Sequence, residues 1–178
     1  VDILITEFCK YGNARSYLNT HMYKMSDIDL KIFIFQFITG LVTLQYHIPG
    51  FKHNDIHSEN ILVGSYNLKN KKGVGTNNYI RYRLFEQDFY VPLREYCVKI
   101  YDFDTMSGKN FVNTKLNDDL YRQVGVTTSP NPVFDYHLGM NSLFDINDFN
   151  PTKHNDTLNF FRGQIPEKYR GSQNMYLS

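Results

Sequence analysis

The alternation of apolar and polar positions divides the chain into segments with two different periods. From about 27 to 47, Ile34, Phe37, Ile38, Leu41, Val42 and Leu44 recur at helical spacing. Phe33 and Phe35 fill much of the remaining circumference, so this helix is expected to be buried. Ser26 suits an N-cap, Asp29 stands three residues on in a capping-box position, and Pro49-Gly50 ends the run. Shorter helices are expected over 14–24 and in PVFDYHLGMNSLF, which opens at Pro132 and carries the apolar positions Val133, Leu138, Leu143 and Phe144.

Elsewhere the runs are short or the period is two. Ile3-Leu4-Ile5 and Ile61-Leu62-Val63 read as short strands, the second a buried one. In YIRYRLF (79–85), Ile80, Tyr82 and Leu84 share one face and Arg81 and Arg83 the other, as in a half-buried strand. CVKIYDFD (97–104) turns Val98 and Ile100 inward and ends in Asp102 and Asp104. The Gly/Asn/Lys-rich stretch 64–78 reads as an exposed loop, and 105–132 as a long loop with a single helical turn. The end of the chain is expected to be loop plus a short helix, and no internal repeat is visible.

Composition narrows the picture modestly. A chain of 178 residues is long enough for one domain with a real core. A net charge of +1 gives no general argument for nucleic acid or membrane as partner, and neither is expected. No apolar run reaches the roughly 18 residues of a membrane span. Two cysteines, Cys9 and Cys97, are too few for a disulfide framework and fit a reducing, cytoplasmic compartment, although they could pair with each other. The opening VDILITEF lacks Met and starts inside a strand-like run, which suggests a piece of a longer protein.

The candidate chemistry lies in HNDIHSENILV (53–63). His53, Asp55 and His57 alternate, Asn60 follows, and an aliphatic strand anchors the polar loop. This segment, followed by VKIYDFD, resembles the catalytic loop and metal-binding motif of the protein-kinase-like superfamily, in which an Asp precedes an Asn by five residues and an Asp-Phe motif follows a later strand. Asp55 and Asn60 have that offset, and Asp102-Phe103 begins the second motif. The flanks resemble the family in order: ILITEFCKYGN is similar to the last small-lobe strand and hinge (1–13), and the 27–47 helix to the long helix before the loop. Asp135 is similar to the acidic residue that opens the central large-lobe helix and ties down the loop. An insertion over 64–97 with a β-hairpin resembles serine/threonine kinases of large DNA viruses.

The resemblance implies an α+β, protein-kinase-like fold: a single domain over 1–178, the mostly helical large lobe with short β-hairpins, starting at the hinge, with the small lobe largely missing. It implies an ATP-dependent kinase using Mg²⁺ and acting on a Ser or Thr hydroxyl of a protein substrate, located in the host cytoplasm or virion if viral. Oligomeric state is left open. Asp55 would position the acceptor, with His57 and Asn60 as further catalytic residues. Asn60 and Asp102 would hold the metal, and Glu7, Phe8, Cys9, Asn60, Leu62 and Asp102 would meet the nucleotide. His53 is read as structural.

Departures from the family pattern open rival readings. His57 stands where serine/threonine kinases usually carry Lys, a pattern resembling aminoglycoside and choline kinases, so a small-molecule acceptor is the alternative. Asp104 replaces a Gly suited to positive φ, which argues against the usual switching of that motif or adds a second carboxylate to the metal site. No Ala-Pro-Glu precedes Asp135, and the chain offers neither a glycine-rich phosphate loop nor a strand lysine; Gly73-Val74-Gly75 reads as a turn. These absences keep a pseudokinase-like interaction module in view. A transition-metal hydrolase using His53, Asp55, His57, Asp102 and Asp104 is the rival from another enzyme class.

Overall fold

The computed structural model describes residues 6–66, 78–111, 113–117, 119, 121, 126–129, 131–146, 153–167 and 170. The strand expected at Ile3–Ile5 and most of the loop expected over 64–78 lie outside these residues.

Asn13 starts the first helix, α1 (Ala14–His21), by accepting the Ser16 N–H at 2.9 Å. The helix expected to reach residue 24 stops at His21, because the Met25 N–H turns back to the carbonyls of His21 and Met22. The second helix, α2 (Asp27–His47), opens with the expected capping box. The Asp29 N–H donates to Ser26 Oγ at 3.2 Å and the Ser26 N–H to Asp29 Oδ2 at 2.9 Å. Leu30, Phe33, Ile34, Phe37 and Leu41 bury one side of α2 in the core. Its other side is covered as well: half-buried Phe35 meets Tyr82 edge-on, with ring centroids 5.2 Å apart.

Four strands follow, β1 (Ile61–Ser65), β2 (Tyr79–Leu84), β3 (Gln87–Pro92) and β4 (Tyr96–Ile100). β1 pairs antiparallel with β4, Ile61 opposite Ile100, and β2 with β3 in a separate hairpin, Leu84 opposite Gln87. In β2 the alternation is as the sequence reads: Ile80, Tyr82 and Leu84 are half-buried while Tyr79, Arg81 and Arg83 are exposed. In β4, Val98 and Ile100 turn inward as expected and pack against the core. They are half-buried, and Tyr96 and Cys97 are the buried pair. Tyr96 reaches further in, its ring tilted against those of Tyr17 and Phe33 at centroid distances of 5.5 and 5.8 Å. Buried Gln36 joins sheet to helix by accepting the Val98 N–H at 2.8 Å.

After β4 come two short 3₁₀ turns, Phe103–Thr105 and Thr114–Asn117, then α3 (Phe134–Phe144) and α4 (Asn155–Gly163). α3 begins two residues later than Pro132, so Val133 precedes the helical face and is 63% exposed rather than inward. Gly139 lets α3 approach α2 closely: a Cβ there would stand 2.4 Å from Phe37 Cζ. α4 docks on the start of α2, where the Thr157 N–H donates to Asp27 Oδ1 at 3.2 Å. The described residues thus form an α+β arrangement of four α-helices and two small antiparallel sheets. Among them, no helix is long and apolar enough to cross a membrane.

Candidate functional site

The loop from Phe51 to Asn60 connects the end of α2 to β1, and its backbone is fixed almost residue by residue. Lys52 exchanges both main-chain hydrogen bonds with Ser107, at 2.9 and 2.8 Å. The His53 and Asn54 N–H groups donate to the two carboxylate oxygens of Asp135 at 2.7 and 3.0 Å. Asn54 adopts the left-handed conformation (φ 68), which Asn tolerates better than most residues. Its amide then donates to Thr105 O and Ser107 Oγ. Ile56 is buried, and the Ser58 N–H donates to Ser142 Oγ on α3 at 2.8 Å. With the residues on both sides anchored inward, half-buried Asp55 and His57 are left on the outer side of the loop.

Asp55, His57 and Asn60 come together. Asn60 Nδ2 donates to Asp55 O at 2.9 Å and to Asp55 Oδ2 at 3.3 Å, and His57 Nε2 lies 3.8 Å from Asp55 Oδ1. Asp102 arrives from the partner strand. The β1–β4 ladder runs one step beyond Ile61 and Ile100, where the Tyr101 N–H donates to Asn60 O at 2.9 Å, so Asp102 leaves the sheet next to Asn60. Two further bonds join the segments: His53 Nε2 sits 2.8 Å from Tyr101 O, and Thr105 Oγ1 donates to His53 O at 2.9 Å. His53 is fully buried and serves the packing of the loop.

Positive φ falls on Asp102 (φ 59), not on Asp104. Asp104 therefore does not occupy the positive-φ backbone that a Gly would permit. Nor does Asp104 turn toward Asp102 as a second carboxylate: its Oδ1 accepts from Lys115 Nζ at 2.6 Å. Asp102 itself is exposed and, among the described residues, accepts only a long bond of 3.4 Å from the Asp104 N–H, which leaves its carboxylate open. Among the described residues no three His, Cys, Asp or Glu side chains converge as a metal cluster. The five-ligand transition-metal reading loses its geometry here, since His53 is turned to a carbonyl and Asp104 to a lysine.

The residues before α1 are tied to the same sheet. The Tyr11 N–H donates to Val63 O and the Val63 N–H to Gly12 O, at 3.0 and 2.8 Å. Glu7 pairs with Lys99, which stands opposite half-buried Leu62 in the ladder. Phe8 is 87% exposed, and Cys9 is half-buried with its Sγ 3.8 Å from where a Gly64 Cβ would be. Cys9 and Cys97 are free thiols, and burial pushes both up from the usual thiol range.

The residue that the sequence reading passed over is Lys52. It is 1% exposed; its ammonium donates to Thr127 O at 2.7 Å and stands 4.3 Å from the centre of the Phe134 ring. Burial pushes Lys52 below the usual lysine range, opposed by the Asp135 charge. Burial also pushes the Asp135 carboxyl up from the usual range, opposed by the His53 and Asn54 N–H groups and the charges of His53 and Lys52. The available signal was a lysine set between the rings of Phe51 and His53.

Two proteins of Acanthamoeba polyphaga mimivirus are similar to this chain. One, named "Putative serine/threonine-protein kinase R400", is 29% identical over 98% of the chain, and the alignment spans 38% of that protein. The other, "Putative serine/threonine-protein kinase R301", is 34% identical over 43% of the chain and 18% of its own length. The chain thus spans less than two-fifths of the curated relatives it matches. No family model matches it, and no solved structure does.

Proposed function

We propose that the chain is the large lobe of a protein-kinase-like domain and that the protein transfers the γ-phosphate of ATP to a Ser or Thr hydroxyl of a protein substrate. The observation that carries this reading is the hydrogen-bonded Asp55–Asn60 pair with Asp102 delivered beside it by the β1–β4 ladder. The kinase names of the two mimivirus relatives support it.

Phosphoryl transfer asks for positioning and charge neutralisation more than for covalent help. Asp55 holds the acceptor hydroxyl and takes its proton as the oxygen bonds to the γ-phosphorus and the bond to the ADP oxygen breaks. Asn60 keeps Asp55 oriented through Nδ2, which leaves its Oδ1 as the atom facing a ligand. That oxygen and the open Asp102 carboxylate fit Mg²⁺, which takes few protein oxygens and several waters. When bound, the ion neutralises phosphate charge. Glu7 to Cys9 and Leu62 border the same sheet and would meet the base, and His57 stands close enough to the Asp55 carboxylate to contact the transferred phosphate.

The test is Asp55→Asn in the protein at its natural length. Turnover should fall by at least about 10²-fold while ATP affinity stays within roughly threefold. Unchanged turnover would remove Asp55 from its role. The position of His57 beside Asp55 favours one second reading, a small-molecule acceptor; faster phosphorylation of an amino sugar or choline than of a Ser/Thr protein would select it.

A further inference from the structure

We infer that Lys52 is a positioning residue: its buried ammonium holds the Asp135 carboxylate in its ionised form and so keeps the loop that carries Asp55 clamped to α3. For its kinetic readout the inference rests on the phosphotransfer reading; its structural readout does not.

Both side chains are out of water, Lys52 at 1% exposure and Asp135 at 0%. A buried ionic group is costly unless it is matched by hydrogen bonds and an opposite charge. Lys52 has one hydrogen-bond acceptor, Thr127 O, and the face of Phe134, the residue directly before Asp135. Asp135 has two main-chain donors, the N–H groups of His53 and Asn54, the residues directly after Lys52. The two charges therefore sit at the two ends of one short junction between loop and helix, and each lowers the cost of the other.

The clamp depends on ionisation for a geometric reason. Two N–H groups bind the two oxygens of Asp135 separately, and a carboxylate accepts at both. Once protonated, one oxygen becomes a hydroxyl donor, and one N–H of the loop is left buried against a poor acceptor. The loop would then loosen next to Asp55. The titratable groups that act on Asp135 from the loop are Lys52 and His53. From the segment after β4, packed on the same loop, come the neutral Thr105 and Ser107.

The experiment replaces Lys52 by Met, which keeps the stem, and by Gln, which keeps a donor for Thr127 O, in the protein at its natural length. Two quantities are followed from about pH 5 to pH 9: turnover, and hydrogen exchange of the His53 and Asn54 amides. Both variants should lose turnover and amide protection on the acid side, with midpoints shifted upward by about one pH unit, and should return to within roughly twofold of wild type at the alkaline end. Lys52→Arg should keep the wild-type midpoints. A uniform loss at every pH, unshifted midpoints, or failure of both neutral variants to fold even at the alkaline end would overturn the inference. If the wild type transfers no phosphate yet the amide midpoints shift, the functional reading fails and the inference stands.

Discussion

Asp55 and Asn60 behave as one unit, because the Asn60 amide donates to both the main chain and the carboxylate of Asp55. Asn60→Ala should therefore act twice, removing the proposed oxygen ligand and freeing Asp55; a fall in turnover of at least about 10²-fold, measured at saturating Mg²⁺ and ATP, is expected. Asp102→Ala removes the open carboxylate instead. Titration of ATP followed by calorimetry should show Mg²⁺-dependent affinity in the parent protein and at least about a tenfold weaker affinity in the variant. Equal affinities would take Asp102 out of the proposed metal site. The positive φ at Asp102 adds a warning about Asp102→Gly, which would relax the backbone as well as remove the carboxylate.

At the scale of elements, the junction before α2 gathers several functions on one residue. Asp29 accepts from the Ser26 N–H to close the capping box, accepts from Arg94 Nε at 2.6 Å, and offers its carbonyl to the Tyr96 hydroxyl at 2.9 Å. Burial alone would raise the Asp29 carboxyl, but the Ser26 hydroxyl and N–H and the Arg94 guanidinium outweigh it and hold the group below 3.8. A carboxyl lowered on folding stabilises above its unfolded value and loses that contribution as pH falls through the folded one. The melting temperature should therefore fall as pH drops below about 4, and less steeply in Asp29→Asn, which starts lower at neutral pH. Ser26→Ala should cost about 1 kcal/mol in denaturant unfolding. Gly139→Ala tests the α2–α3 contact: with Phe37 Cζ 2.4 Å from the added methyl, destabilisation by roughly 1–3 kcal/mol is expected. A neutral result would mean that Phe37 has room to rotate away.

Across the whole molecule, what could be read from sequence was what local chemistry dictates. The capping box at Ser26 and Asp29 and the alternation in YIRYRL follow from neighbours a few residues apart, and they appear in the structure. Contacts between distant segments were less legible. Nothing near Val133 signals that α3 begins one residue later, and the depth of Tyr96 depends on Tyr17 and Phe33, far away in the chain. The same holds at the site. Asp55 and Asn60 stand out by their offset, whereas Lys52 is noticeable only when Thr127 and Phe134 are seen around it. The replacement of Gly by Asp104 drew attention to the backbone at 104, whereas the positive φ falls two residues earlier, at Asp102.

Asp55, Asn60 and Asp102 are proposed to serve ATP-dependent transfer to a hydroxyl. This role is tested most directly by following labelled γ-phosphate from ATP to a Ser/Thr protein acceptor, with the protein at its natural length and Mg²⁺ present. Acceptor labelling should disappear with chelator and fall at least about 10²-fold in Asp55→Asn. Labelling equal in the parent protein and Asp55→Asn, or ATP left intact by both at every Mg²⁺ concentration, would contradict that role.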